Sequence, residues 1–294
     1  MNALTRSLAT NVAALLFLAC PAAPSPDAQT ERLFDHPQRV TLIGYDGDAM
    51  EPFMTRDGRY LLFNNLNDPS VDTNLHFAER IDDLTFQYKG EIKGVNTPAL
   101  EGVATMDRHN ILYFVSTRSY DQTSSTIYRG TFSNGEVKGI ELVPGVSRQQ
   151  PGIVNFDVEV SPDGDTLYFV DAKFGPGGPE TADIVIAERS GTGFLRARNS
   201  EKIMQYVNTS ALEYAACISA DELTLLFTRL RLGIGGSLGI YLSHRRSRSE
   251  PFGLPVRLDA LTGFVEGPTL SPDERSIYYH KKKGAKFVIY RASR

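Results

Sequence analysis

One motif occurs five times along this chain, and that repetition constrains the fold more than any other feature. Each copy has an acidic residue, a short run, a Ser/Thr-x-Asp turn and an aromatic-rich strand. Such turns join two strands into a hairpin, because the aspartate side chain bonds back to the backbone. A hairpin repeated along a chain predicts a repeat architecture. The five turn aspartates are Asp57, Asp107, Asp163, Asp221 and Asp273.

A third apolar segment follows every hairpin, and a fourth follows in the first four copies. The third segments are residues 74–80, 126–130, 183–189, 239–245 and 288–292. The fourth segments are residues 86–92, 137–143, 193–203 and 255–258. Residues 39–43 form an unassigned strand, and pairing with residues 287–291 would complete the last unit without an orphan sheet edge. The sequence therefore predicts an all-β fold, a five-bladed β-propeller closed by an N-terminal strand that joins the last blade.

The repeat also resembles a known family. Ser161-Pro162-Asp163-Gly164, followed by an aromatic strand and an Ile-Tyr-x-x-Arg-like third strand, is similar to the PD40, or WD40-like, repeat of TolB-type propellers. Pro272-Asp273 carries the same motif, whereas the other three copies lack the proline. The resemblance covers almost the whole chain beyond residue 39. It implies a propeller fold in an exported or periplasmic setting, and it names no reaction because this fold hosts many functions.

The first 20 residues have the pattern of a signal peptide. Arg6 precedes an apolar stretch at residues 12–19, which is too short to span a bilayer. Residues 16–20 resemble a lipoprotein box in which Cys20 would be lipidated, while Ala22 and Ala23 also allow ordinary cleavage. We therefore expect a signal segment at 1–20, a linker at 21–38 and the propeller at 39–294. The protein would be periplasmic, secreted or lipid-anchored through Cys20, with no transmembrane span.

Charge excludes one class of partner and suggests another. The net charge is −4 and no basic stripe is present, so nucleic acid is not an expected partner. One acid precedes the turn in each unit, at the end of the strand expected to line the channel. These five predicted ligand-binding acids are Glu51, Glu101, Asp157, Glu213 and Glu266. Four basic residues just past the second strands are expected to reach the same mouth: Arg118, Lys173, Arg229 and Arg231.

Converging carboxylates repel one another, so such a ring needs a cation, a basic neighbour or a cationic ligand. In one interpretation the acids have a purely structural role, and each pairs with an arginine of a neighbouring blade. The other makes the mouth a binding site. The long loops between second and third strands also gather there, and they are expected at residues 64–73, 117–125, 172–182 and 229–237. We predict no cofactor and no metal site, with a channel-bound cation such as calcium as the alternative. The five histidines lack metal-ligand spacing and are expected at surface or packing positions.

Two functions remain open from the sequence. The first is a non-catalytic, TolB-like binding module of the cell envelope, holding a small molecule, a saccharide or an envelope protein at the channel mouth. The alternative is a secreted glycoside hydrolase. Glu266-Gly267-Pro268 is similar to the general-acid motif of five-bladed glycoside hydrolases, and Asp157 and Glu51 would supply the other carboxylates. Glu51-Pro52 shows, however, that an acid before proline is also an ordinary lead into the turn.

Overall fold

The computed structural model describes residues 33–68 and 70–294, and it confirms an all-β protein of the propeller class. Helix is limited, within those residues, to the single turns Tyr120–Thr123 and Ser200–Ile203. No helix in the described part of the chain is long and apolar enough to cross a membrane. The predicted signal segment and Cys20 lie outside the described residues.

The strands form five units of antiparallel strands in chain order, and the parallel pair of Ala182 and Leu212 joins the third and fourth units into one sheet. The first contains Met50–Met54, Tyr60–Asn64, Leu75–Arg80 and Thr85–Glu91, and the second contains Glu101–Met106, Ile111–Ser116, Ile127–Ser133 and Glu136–Leu142. The third contains Val158–Val160, Thr166–Gly175, Gly178–Ser190 and Gly193–Arg196, with Ile153–Val154 added. The fourth contains Leu212–Ile218, Thr224–Arg231, Ser237–His244 and Val256–Arg257. The fifth contains Val265–Leu270, Ser276–Lys283 and Lys286–Ser293.

The first strand of each unit, called here the inner strand, packs against the inner strands of two other units. Contacts run from the first unit to the second and onward to the fifth, whose inner strand contacts that of the first. The second strands are buried on both faces, as in Tyr60–Asn64, and therefore read as continuous apolar runs. Apolar clusters such as the one holding Phe53, Leu62 and Phe114 fill the space between successive units. This packing positions five inner strands around one axis.

The N-terminal strands differ from the prediction in their boundaries. Asp35–Arg39 pairs antiparallel with Lys286–Ser293, with Arg39 opposite Tyr290. Thr41–Ile43 instead pairs parallel with Thr85–Glu91 of the first unit. The segment therefore divides at buried Val40 and contributes to two sheets. Pairing in the last unit also begins at Asp35, ahead of the boundary expected at residue 39.

For two segments of the third unit the predicted secondary structure was wrong. Residues 172–182 were expected to be a long loop, but Thr166–Gly175 and Gly178–Ser190 continue as a paired hairpin through most of them. Residues 193–203 were expected to be one strand, but Gly193–Arg196 is followed by the helical turn Ser200–Ile203. The hairpin projects Phe174 to the mouth of the channel, where it lines a cavity.

Candidate functional site

The turn after each inner strand gives a common reference for comparing the acids. Its first residue donates its backbone N–H to the carbonyl where the second strand begins, as Thr55 does to Tyr60 at 2.9 Å. The equivalent residue of the second unit is Asp107, which donates to Ile111 at 3.1 Å. Asp107 was predicted to be the third residue of its turn, so that alignment was wrong by two positions. The first turn residues are Thr55, Asp107, Ser161, Ser219 and Ser271.

Counted from that reference, the five acids occupy three different positions. Glu101 and Glu213 lie six residues before the turn, Glu266 lies five before it, and Glu51 and Asp157 lie four before it. A β-bulge interrupts the inner strand near these positions in four units. Bulges re-aim side chains, and the acids therefore do not form one ring of equivalents.

Glu101 and Glu213 are structural acids, called here the clamp acids. Each accepts hydrogen bonds from the backbone N–H and the hydroxyl of the threonine four residues earlier, Thr97 or Thr209. Each also pairs with an arginine of its own unit: Arg118, just past the second strand, at 3.1 Å, and Arg229, in the second strand, at 2.6 Å. Both carboxylates are fully buried. These two acids are therefore ion-paired, but with an arginine of the same unit and not, as predicted, of a neighbouring blade.

Glu51, Asp157 and Glu266 are placed differently, and we call them the cavity acids. They are 7%, 4% and 8% exposed, and none forms an ion pair with lysine or arginine among the described residues. Asp157 accepts the backbone N–H of Ala215 at 2.8 Å through Oδ2. Asn67 donates to Glu51 Oε1 at 3.0 Å. Neither donor carries a charge, so Asp157 has no basic partner and the one basic side chain near Glu51 is His280, at 4.0 Å from its Oε1.

His280 lies between two of the cavity acids. The backbone N–H of Glu51 donates to Nδ1 of His280 at 3.2 Å, and Nε2 faces Glu266 Oε2 at 3.1 Å. The Tyr214 hydroxyl donates to the other oxygen of Glu266. Gly267 permits this close approach, since a Cβ there would lie 2.5 Å from Glu51 Oε2 and 3.0 Å from His280 Nδ1. Its φ of +62° also suits glycine.

Burial and mutual repulsion change the proton affinities of these groups. Burial, then the charges of Glu51 and Glu266, raises the pKa of Asp157 well above its usual range. Burial also raises the pKa of Glu51, although His280 and Asn67 act to lower it. Burial alone would lower the pKa of His280, but Glu51 and Glu266 outweigh it and raise that pKa. The site therefore holds groups that compete for protons.

A cavity of about 430 Å³ opens onto the three cavity acids. Its wall is largely apolar and comes from the first four units, so it lies at the mouth where second and third strands are joined. Phe156 packs edge-on against Phe174 at 6.0 Å and tilts against Tyr214 at 5.8 Å. The remaining wall includes Leu100, Val103, Val154, Pro179, Leu212 and Leu230. A volume of this size suits a small molecule.

The interior of the channel below the mouth is narrower, and its polar side chains bond to one another. The guanidinium of Arg56 donates to Glu159 Oε1 at 3.0 Å and to the Val160 carbonyl at 2.8 Å. Thr105 donates its hydroxyl to the other oxygen of Glu159. The space left beside Glu51 and Glu159 is only about 30 Å³. Room for a ligand is therefore at the mouth.

The basic residues predicted at the mouth do not meet the cavity acids. Arg118 and Arg229 belong to the clamps, and Lys173 pairs with Glu180 at 3.0 Å near the surface. Arg231 is exposed at the end of its strand. In the described ranges no group of three or more His, Cys, Asp or Glu residues is arranged to hold a metal ion.

Three site residues were missed from the sequence. His280 was expected at a surface or packing position, yet it is fully buried and bonded to Glu266, because it lies opposite Glu266 in the paired strand. Tyr214 occupies the position equivalent to Glu266, five residues before its turn. Asn67 comes from a loop, and no periodic pattern indicates it. The first two could be found by writing out the hairpin register of each unit.

No protein-family model and no curated protein sequence matches this chain. Among solved structures it is similar to a putative TolB from Agrobacterium tumefaciens, at 20% identity over 67% of this chain and 59% of that one, with a TM-score of 0.43. A hypothetical protein from Leishmania major matches at 14% identity over 90% of both chains, with a TM-score of 0.48. A thermostable family-43 glycoside hydrolase matches at 11% identity over 86% of this chain and 91% of that one, with a TM-score of 0.46. At these identities and TM-scores the likenesses assign no activity, ligand or partner to this chain.

Proposed function

We propose that this chain is an exported five-bladed β-propeller that binds a small ligand at its channel mouth without transforming it. The observation that carries the proposal is the mouth cavity of about 430 Å³, in which apolar side chains face three buried carboxylates. Three buried carboxylates with one histidine as their shared basic partner destabilise a fold, so their presence in a cavity favours a ligand that offsets their charge. The long hairpin of the third unit also places variable structure on this face.

The binding proposal can be tested by filling the cavity. Ligand-observed NMR with a fragment set of amines, alcohols, carboxylic acids and monosaccharides would identify binders to the intact protein. Leu230→Trp fills the cavity wall, whereas Leu232→Trp adds the same side chain at a residue that is 64% exposed and outside the cavity. We expect fragments to bind the unmodified protein and the Leu232 variant but not the Leu230 variant. Binding that is unchanged in the Leu230 variant would contradict the proposal.

A glycoside hydrolase is the second candidate. Asp157 has a raised pKa, while Glu266 accepts hydrogen bonds from Tyr214 and His280. Two carboxyl groups in such different environments suit the acid and the base or nucleophile of glycoside hydrolysis. Aryl glycosides incubated with the protein would release the aryl alcohol if it is a hydrolase. Loss of that release in both Glu266→Gln and Asp157→Asn would favour the enzyme over the binding module.

The blade count and closure also belong to this proposal. We infer that the five units are five blades and that Asp35–Arg39 is the outer strand of the last one. Removing residues 1–43 should then lower the free energy of unfolding by several kcal/mol, because an edge is exposed and packing is lost. Removing residues 1–32 is the matched control and should leave the melting temperature unchanged. Equal melting of the two truncated proteins would refute closure by this strand.

A further inference from the structure

The cavity acids retain oxygens that could bind a ligand. Asp157 Oδ1 and Glu51 Oε2 accept no hydrogen bond from any described residue, although both side chains are more than nine-tenths buried and line the cavity. A buried carboxylate oxygen normally has a donor. Asp157 Oδ1 and Glu51 Oε2 are therefore vacant acceptors on two side chains that line the cavity.

Among the buried glutamates of the described residues, only those at the cavity lack an arginine partner. The other four buried glutamates each have an arginine within 4 Å, and they are Glu101, Glu159, Glu213 and Glu222. Of the cavity acids, only Glu51 and Glu266 lie within 4.0 Å of a basic side chain, and it is the same histidine. A ligand with one positive charge would give this cluster what the other buried glutamates receive from arginine.

The wall of the cavity limits what kind of cation fits. Phe156, Phe174 and Tyr214 present aromatic surface, and leucine and valine side chains cover much of the rest. A bare metal ion would leave that surface in contact with water, and the acids are not arranged as a metal site. A saccharide would bring several hydroxyl groups, for which the apolar wall offers few partners. An organic cation can interact with both the acids and the apolar wall, because aromatic faces also attract an ammonium group.

We propose that the ligand of the mouth cavity is a small primary ammonium compound with an apolar body. This inference rests on the proposed binding function and specifies its ligand class. The ammonium donates its N–H groups to the vacant oxygens of Asp157 and Glu51 and lies near Glu266. The apolar body contacts Phe156, Phe174 and Leu230. Charge-assisted hydrogen bonds supply the orientation, and the wall supplies the contact area.

Two probes that differ chiefly in charge test this assignment. Isothermal titration calorimetry at pH 8 would compare benzylammonium chloride with benzyl alcohol, using calcium chloride and xylose as further probes. We expect benzylammonium to bind at least tenfold more tightly than benzyl alcohol. Asp157→Asn should weaken the affinity for benzylammonium at least tenfold and leave the affinity for benzyl alcohol within twofold of the parent value. Glu180→Gln, which removes the same charge from a half-exposed pair with Lys173, should leave both affinities within twofold.

The outcomes separate this inference from the function on which it rests. Equal affinity for the two benzyl probes, or preferential binding of xylose or calcium, would overturn the ammonium assignment. If that binding is lost in Leu230→Trp, the cavity still binds ligands and only the ligand class is wrong. If no probe binds and the fragment set yields no binder, both proposals fail. Thermal melting of Asp157→Asn shows whether a loss of affinity comes with a folded protein.

Discussion

The clamp acids lie in the second and fourth units and the cavity acids in the first, third and fifth; all five are buried in or next to an inner strand, and yet the two groups have opposite environments. Glu213 receives a backbone N–H, a hydroxyl and a guanidinium, which together offset the loss of water around its charge. Asp157 receives one backbone N–H and otherwise faces the cavity. The difference teaches that burial of an acid does not by itself indicate function, whereas a buried acid that lacks a basic partner and also lines a cavity favours a ligand site.

The clamps also explain why two acids cannot belong to the ligand site. Arg229 donates to the Val207 carbonyl at 2.6 Å as well as to Glu213, and its guanidinium lies 4.8 Å from the ring centre of Tyr241. Thr209 and Val207 belong to the connection that precedes the inner strand. The clamp therefore fastens that connection to the fourth unit. The Glu101 clamp repeats this arrangement with Arg118 and the Val95 carbonyl.

The largest effect should come from breaking a clamp. Arg229→Leu leaves Glu213 charged, buried and without its partner, so the free energy of unfolding should fall by about 3–5 kcal/mol. Urea denaturation followed by circular dichroism measures the change. Lys173→Met breaks an exposed pair and should cost less than about 1 kcal/mol. If the two variants lose equal stability, the clamp is not the structural element described above.

Removing the charge of a cavity acid should raise the free energy of unfolding, whereas breaking a clamp lowers it. Asp157 has a higher pKa in the folded protein than the ordinary value of 3.8, so the folded state holds its proton more tightly than the unfolded state. Stability is therefore lost as pH rises from about 3.8 through the folded pKa, and the loss remains above it. Asp157→Asn keeps an acceptor for the Ala215 N–H and should stabilise the ligand-free protein at pH 8, by about 1.4 kcal/mol per unit of pKa elevation.

Thermal melting from pH 3.5 to pH 8 distinguishes the two proteins. The gain in stability of the Asp157 variant should be absent at the acid end and grow with pH. A variant that is less stable than the parent at pH 8 would show that the carboxylate is compensated within the fold. Glu180→Gln is the control, because its half-exposed pair should produce only a small change.

A smaller effect is expected on the pKa of His280. Glu51 and Glu266 outweigh burial and raise its pKa, so Glu266→Gln should lower the pKa of His280 by removing one carboxylate. The chemical shift of the His280 ring protons against pH, measured by NMR, reports this value directly. Glu180→Gln should leave the same titration unchanged. An unaltered His280 titration in Glu266→Gln would separate the histidine from the cavity acids.

The smallest effect should follow a change on the opposite face of the molecule. Asp163 accepts hydrogen bonds from the Ser161 hydroxyl and the Asp165 N–H within its turn. Asp163→Asn should lower the free energy of unfolding by only about 0.5–1 kcal/mol, since part of the turn network survives. Benzylammonium affinity should stay within twofold of the parent value. Loss of binding in this variant, with Glu266→Gln unaffected, would place the site on the turn face.

Much of the architecture was predictable because it depends on local patterns. Turn chemistry marked each hairpin, and apolar runs marked second and third strands that the structure confirms to within a few residues, as in Leu75–Arg80. Propeller class followed from repetition of those patterns. The third unit was less accurate, since strand length beyond the core is set by pairing in the hairpin and leaves a weak apolar signal.

The clamps could have been predicted from a short sequence motif that both contain. Asn96-Thr97-Pro98-Ala99-Leu100-Glu101 and Asn208-Thr209-Ser210-Ala211-Leu212-Glu213 are nearly the same hexapeptide. In both, the asparagine side chain bonds the backbone of the preceding unit, at Leu75 and at Ile184. Ala49-Met50-Glu51 resembles the last three residues of this motif but lies two positions out of register. Glu51 is therefore not the equivalent of Glu101.

What the sequence alone determined is the repeated hairpin, since turn propensity and apolar patterning act between residues close in the chain. It also identified the three acids that meet in the cavity, although it grouped them with two that do not. Tertiary structure decided which acids have partners. A bulge of one residue changes where a side chain points, and no local pattern reveals its register. The approach of His280 to Glu51, 229 residues apart, depends on the packing of the last unit against the first.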